Sequence, residues 1–135
     1  MIVVVGVDES SMAKEVLGRA IDEAAWREAE LHVVNVYQLP FTYVEIPVDY
    51  VAMAEGHHSA VWGPLEGQLS ESRVELLRVD LEGYPAEALV SYANDIGASL
   101  LVVGTRGRGE WGALILGSTS HRAVHLADCD VLIVR

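Results

Sequence analysis

The sequence predicts an α/β fold in which five mostly parallel strands form one doubly wound sheet, with helices on both faces. Apolar runs rich in valine and leucine alternate along the chain with segments of helical periodicity, as in βαβ units. Most of these runs are continuously apolar, which is typical of parallel strands buried on both faces. The 135 residues, 51% of them hydrophobic, are enough for one core, so we expect a single domain over residues 1–135.

The first third of the chain has the pattern of a strand, a helix and a second strand. Residues 2–7, I-V-V-V-G-V, are a β-branched run that predicts a buried strand. Residues 8–11, D-E-S-S, have short polar side chains suited to capping a helix, and apolar residues at helical spacing extend that helix over 12–28. Residues 31–37, L-H-V-V-N-V-Y, predict the second strand.

The middle of the chain is harder to divide, because prolines and glycines interrupt residues 38–72. We expect a helix across part of this region, over residues 48–70, with interruptions. Residues 74–81, V-E-L-L-R-V-D-L, predict the third strand.

The last third adds two helices and two strands. Pro85 opens a helix that Gly97 closes, since proline is favoured at the first helical position and glycine just past the last. Residues 100–104, L-L-V-V-G, predict the fourth strand, residues 118–126 a helix, and residues 131–134, V-L-I-V, the fifth strand. Right-handed crossovers between such strands produce a parallel sheet.

The charge distribution argues against a nucleic-acid partner. Nine lysines and arginines stand against 20 acids, for a net charge of −11, whereas binding to a phosphate backbone requires excess positive charge. The charges are unevenly placed. Residues 1–104 hold 17 acids and five basic residues, and residues 105–135 hold three acids and four arginines. A small anion would therefore be attracted to the C-terminal region.

The sequence also bears on location. The N-terminal apolar stretch is five residues long and has no basic segment before it, so no secretory signal is predicted. No apolar run approaches the ~18 residues that a membrane span needs. The single cysteine, Cys129, forms no intrachain disulfide, which fits a reducing compartment. We expect a cytoplasmic protein that binds no membrane and no nucleic acid.

A glycine-rich loop is the clearest functional signal. Five of the 12 glycines lie within residues 104–119, between the end of the fourth strand and the start of a helix. Ligands of open α/β sheets bind at the carboxyl ends of strands, and helix N-termini bind anions. Glycines also let the backbone approach a phosphate without an intervening Cβ. The alternative is a surface loop in which glycine serves turn geometry alone.

Two common phosphate signatures do not fit this loop. The pattern G-x-x-x-x-G-K-[ST] is absent, and the one lysine, Lys14, lies far from the loop in sequence. The pattern G-x-G-x-x-G occurs at residues 107–112, but that fingerprint belongs in a first strand-to-helix turn. We therefore do not predict a P-loop enzyme or an NAD- or FAD-binding domain.

A third pattern does fit. Gly104 and Gly107 form G-x-x-G, nine residues follow, and Gly117-Ser118 complete the motif. This spacing resembles the nucleotide-binding pattern of the universal stress protein family. Further stretches resemble the family over nearly the whole chain: G-V-D-E-S-S, L-H-V-V-N-V, Y-P-A-E-A-L, L-L-V-V-G-T-R-G-R-G and H-L-A-D-C-D-V-L-I-V-R. The chain departs from the family at Asp130, where proline is expected, and residues 38–72 match poorly.

The resemblance implies a Rossmann-like fold of the adenine nucleotide alpha hydrolase type, with strand order 3-2-1-4-5, and ATP as the ligand. It implies adenosine contacts at Asp8 and Val36. An acid at a strand's carboxyl end can also accept hydrogen bonds from an amino or ribose hydroxyl group, although a simple helix cap is the alternative for Asp8. Ribose and phosphate contacts are implied at Val103, Gly104, Arg106, Gly107, Gly117, Ser118, Thr119 and Ser120.

Three functions remain open from the sequence. The first is a regulatory protein of a stress response that binds ATP or a related adenine nucleotide, with Mg²⁺ arriving on the nucleotide. The second is a slow ATPase or phosphotransferase, although no catalytic base stands out and no catalytic residue is predicted. The third is a dimeric interaction protein with a vestigial pocket. Preference among ATP, ADP, AMP and cyclic nucleotides is not determined.

The sequence makes two further predictions. His121, His125 and Cys129 share a helical spacing, but no fourth ligand is evident, so no metal site is predicted. Residues 131–134 form an apolar strand at a sheet edge, which invites pairing with another chain. Family members often dimerise through this strand, so the resemblance implies a homodimer.

Overall fold

The computed structural model describes residues 1–38, 49–105 and 117–135. Each element predicted from the sequence is present within a few residues of its predicted bounds, and the interrupted helix over 48–70 is two helices joined by a 3-10 turn, Gly63–Leu65. The strands are β1 (Ile2–Gly6), β2 (Glu30–Tyr37), β3 (Leu76–Glu82), β4 (Leu100–Gly104) and β5 (Asp130–Val134). The helices are α1 (Ala13–Arg27), α2 (Tyr50–Trp62), α3 (Glu66–Glu71), α4 (Pro85–Asp95) and α5 (Ser118–Leu126).

The sheet has the order β3-β2-β1-β4-β5, and its four pairings are all parallel, which confirms the predicted order 3-2-1-4-5. At its centre, Val4 pairs with His32 on one side and with Leu101 on the other. The chain runs outward from β1 to β3 and then returns to β4 on the opposite side of β1. This reversal opens a crevice between the carboxyl ends of β1 and β4, where open α/β sheets bind their ligands.

Alternate strand residues point to opposite faces of the sheet and build two apolar clusters. Val3 and Val5 of β1 pack in one cluster with α1 and with Leu65 and Leu69 beside it. Val4 packs in the other, with α4 and α5. The last strand contributes to both: Leu132 and Val134 pack against the first cluster, and Val131 and Ile133 against the second. Both faces are covered, as the continuously apolar strands require.

The turn between β1 and α1 differs from the expectation. The helix begins at Ala13, its N-cap is Met12, and no side chain caps it. The carboxylate of Asp8 instead accepts a hydrogen bond from Ser10 N at 2.9 Å, two residues along the chain. The reason is local: the turn closes before the helix starts, so the acid stabilises the turn and stays at the end of the strand.

The side-chain amide of Asn94 fixes the turn that leads into the edge strand β5. Asn94 Nδ2 donates to Leu126 O at 3.1 Å, and Asp128 N donates to Asn94 Oδ1 at 2.9 Å. These bonds tie the end of α4 to the turn that enters β5. The strand then begins at Asp130, paired with Leu100, so the acid in place of the family's proline is accommodated at the first strand position.

Cys129 carries a testable prediction. Burial raises the pKa of the Cys129 thiol, and the carboxylates of Asp130 and Asp128 raise it further. Because the thiolate is the reactive form, we expect native Cys129 to react more slowly with iodoacetamide at pH 8 than an unstructured cysteine does, and its rate to keep rising above pH 9. The same protein unfolded in urea is the control. Equal rates in the folded and unfolded protein would contradict the prediction.

Candidate functional site

A cavity of about 620 Å³ lies at the carboxyl ends of β1, β2 and β4. Its volume is within the range of roughly 300–1,000 Å³ that small-molecule sites occupy. Its floor is formed by strand ends and its walls by the segments that enter α1, α4 and α5. The strand residues that line it are Gly6, Val34, Asn35, Val36, Val103 and Gly104.

Three helices begin at this cavity. Ala13 of α1, Pro85 of α4 and Ser118 of α5 all line it, and each is the first residue of its helix. The first N–H groups of a helix have no partner within the helix, and the aligned peptide dipoles place partial positive charge there. The cavity thus combines three positive helix ends in a chain whose net charge is −11. This arrangement suits an anionic ligand.

Most of the residues predicted from the sequence meet at this cavity. Gly117 and Ser120 are buried and do not line it: Gly117 N donates to Thr105 O at 2.8 Å, and the Ser120 hydroxyl donates to Gly117 O at 3.0 Å. Arg106 and Gly107 fall outside the described residues. The predicted residues that line the cavity are Asp8, Val36, Val103, Gly104, Ser118 and Thr119.

A polar chain that the sequence did not reveal forms one wall. Asn35 is 1% exposed, and its amide donates to Val7 O at 2.9 Å. Its Oδ1 lies 3.2 Å from His57 Nε2, and His57 Nδ1 lies 3.0 Å from Glu9 Oε1. Both imidazole nitrogens of His57 therefore lie within hydrogen-bond distance of an oxygen, one on Asn35 and one on Glu9. These bonds attach α2 to the carboxyl ends of β1 and β2.

The neighbouring histidine makes a second attachment of the same kind. His58 Nδ1 lies 3.2 Å from Asp80 Oδ1, and the Trp62 indole N–H donates to the same oxygen at 3.0 Å. The Tyr37 ring contacts both histidines, with ring centroids 6.0 Å from His57 and 5.3 Å from His58. Few residues of α2 are buried, so apolar packing contributes little to its position. Polar pairs and an aromatic contact attach it to the sheet instead.

An ion pair crosses the rim of the cavity. Arg122 Nη2 lies 2.9 Å from Glu87 Oε1, and both side chains line the cavity. Tyr84, which precedes α4 and is 68% exposed, lines it nearby. The cavity therefore has a charged pair at its opening and an aromatic ring beside it.

Comparison with known proteins agrees with this architecture. The model of the universal stress protein family matches residues 1–135. The chain belongs to the universal stress protein family. A universal stress protein of Thermus aquaticus is 34% identical over 133 residues, which cover 98% of this chain and 97% of that relative.

Solved structures of universal stress proteins share the fold. The UspA protein of Lactobacillus plantarum superimposes with a TM-score of 0.85 at 22% identity, covering all of this chain and 97% of the other. A universal stress protein in complex with cAMP superimposes with a TM-score of 0.75 at 25% identity, covering all of this chain and 96% of the other. The predicted family and fold are thereby confirmed.

The family resemblance did not point to every residue at the cavity of this universal stress protein. Asn35 could have been found as the one amide in an apolar strand, since a buried polar side chain needs a partner. Arg122 follows Ser118 by four residues, which places both on one helix face. No sequence pattern indicates the pairing of Glu9 with His57, because that pairing depends on where the fold places α2.

Two further observations concern metal binding and membrane spans. The rings of His121 and His125 are 4.6 Å apart, but within residues 1–38, 49–105 and 117–135 no group of three or more His, Cys, Asp or Glu side chains is placed to hold a metal ion. In the same part of the universal stress protein chain, no helix combines the length and the apolar character that crossing a membrane requires.

Proposed function

We propose that this chain is an ATP-binding regulatory protein of a cytoplasmic stress response, and that the cavity between β1 and β4 holds the nucleotide. One observation carries the proposal. Three helix N-termini and the strand ends converge on a cavity of about 620 Å³, and the residues that line it include six of those implied by the family's nucleotide pattern. A relative of the same fold forms a complex with cAMP, which supports an adenine nucleotide as the ligand.

The cavity provides for both ends of the nucleotide. Asp8, at the end of β1, offers a carboxylate to the adenosine, and Val36 and Val103 offer apolar surface to it. Ser118 and Thr119, in the first turn of α5, offer backbone N–H groups and hydroxyls to the phosphates. The proposed set is completed by Gly104, Arg106, Gly107, Gly117 and Ser120.

Magnesium would arrive with the nucleotide. The described residues hold no cluster of three potential metal-binding side chains, and Mg²⁺ usually binds through phosphates and one or two carboxylates. The carboxylates that line the cavity belong to Asp8, Glu9 and Glu87.

Calorimetric titration with Mg-ATP tests the proposal. Nucleotide that copurifies is first released by denaturation and identified, and the refolded or nucleotide-free protein is then titrated with ATP, adenosine and GTP. We expect micromolar binding of ATP and weaker binding of GTP. Absence of both copurified nucleotide and ATP binding would overturn the proposed function and leave the interaction-protein alternative.

We also propose a homodimer formed through β5. The sheet has two edges. The edge strand β3 carries the exposed charged residues Arg78, Asp80 and Glu82, which discourage pairing, whereas residues 131–134 of β5 are uncharged and partly exposed. Sedimentation equilibrium at micromolar concentration should give twice the mass of the chain. A monomeric mass would contradict the proposal.

A further inference from the structure

The salt bridge at the rim of the cavity joins the starts of two helices. Glu87 lies in the first turn of α4 and Arg122 in the second turn of α5. Their side chains are 50% and 51% exposed, so the bridge is accessible to solvent and to a bound ligand. An ion pair in such a position is weak in itself and can exchange partners readily.

Arg122 is positioned to reach an anion at the start of α5. It follows Ser118 by one helical turn, and both residues line the cavity. Among the described lining residues, Arg122 has the only guanidinium group and lysine does not occur. The carboxylates there belong to Asp8, Glu9 and Glu87. The positive charge of Arg122 is therefore offset by Glu87 as long as no other anion competes for it.

We propose that Arg122 binds the phosphates of the bound nucleotide, and that its salt bridge with Glu87 breaks when it does so. A guanidinium binds a carboxylate and a phosphate through the same fork of N–H donors, so the exchange preserves its hydrogen bonds. A nucleoside leaves the bridge intact. A nucleotide gains the guanidinium but must displace Glu87. The pair thus makes affinity depend on the phosphates, and this inference rests on the proposed nucleotide-binding function.

The test compares Arg122→Gln, Glu87→Gln and the double variant by titration with adenosine, AMP and ATP. We expect Arg122→Gln to weaken ATP binding and Glu87→Gln to strengthen it, each by about two- to fivefold, the range that a half-exposed ion pair supplies. Adenosine affinity should not change. The gain from Glu87→Gln should disappear in the double variant, because no guanidinium remains to be released. Raising the salt concentration should reduce these differences.

The chain offers a matched control. Glu66 and Arg78 form a salt bridge of similar length and exposure, 2.8 Å with side chains 57% and 43% exposed, and neither residue lines the cavity. Glu66→Gln and Arg78→Gln should leave the affinities for all three ligands unchanged. Melting temperatures of the four single variants show whether each is folded.

Two results would overturn the inference while leaving the proposed function intact. One is ATP binding that Arg122→Gln weakens no more than it weakens adenosine binding. The other is a gain from Glu87→Gln that persists in the double variant, because Glu87 would then act by simple repulsion. If the unsubstituted protein binds neither adenosine nor ATP, the proposed function fails and the inference fails with it.

Discussion

Replacing Asn35 with leucine should destabilise the protein by about 2–4 kcal/mol, although the two side chains are similar in size. The amide donates to Val7 O in a bond closed to water, since Asn35 is 1% exposed, and its Oδ1 also faces the partly exposed His57 Nε2. Each buried polar group left without a partner costs about 1–3 kcal/mol. Such a loss is a large part of the 5–15 kcal/mol by which domains are typically stable. Urea denaturation followed by tryptophan fluorescence measures it.

Asn94 is the matched control for this substitution. Its amide also makes two bonds, to Leu126 O and from Asp128 N, but they are open to solvent. Water can satisfy the groups that Asn94→Leu releases, so we expect a loss of less than about 1 kcal/mol. If Asn35→Leu costs no more than Asn94→Leu, the buried amide bridge is not a major contributor to stability.

A double-mutant cycle would isolate the bond between Asn35 and the histidine. In a His57→Leu background, Asn35→Leu should cost less than in the unsubstituted protein, because the imidazole no longer needs an acceptor. The difference is the coupling energy of the pair. Purely additive effects would show that Asn35 acts through Val7 O alone.

Replacing Gly117 with valine should weaken ATP binding about tenfold or more. Gly117 is buried directly before α5, and its carbonyl accepts hydrogen bonds from His121 N and the Ser120 hydroxyl. Its φ of −62° is open to any residue, so the expected effect comes from the volume of the side chain. A valine side chain there would shift the first turn of α5, and a loss of 1.4 kcal/mol in binding free energy is about tenfold in affinity.

Calorimetry with Mg-ATP measures this effect, and Gly67→Val provides the control. A Cβ at Gly67 would meet nothing within 4 Å, and the residue does not line the cavity. We expect Gly67→Val to bind ATP as the unsubstituted protein does. Circular dichroism establishes that Gly117→Val is folded. Unchanged ATP affinity in a folded Gly117→Val protein would show that the start of α5 is not the phosphate site.

Hydrophobic periodicity by itself determined the strands and helices of this protein. Strands β1 and β4 are apolar throughout because both of their faces are covered, and a sequence shows such runs directly. Pro85 marked the start of α4, because proline is favoured at the first helical position. Gly97 marked its end, where a φ of +65° favours glycine. The order of the strands came from the family resemblance, whose glycine spacing spans β4 and α5.

Only the tertiary structure decided which polar side chains meet. Asn35 and His57 are 22 residues apart, and Glu87 and Arg122 belong to different helices. Nothing in their sequence neighbourhoods identifies their partners, because a hydrogen bond or ion pair depends on where the fold places two distant segments. The sequence therefore determined the elements and the family. The arrangement of those elements around the cavity determined that Asn35 supports one wall and that Arg122 and Glu87 share the rim.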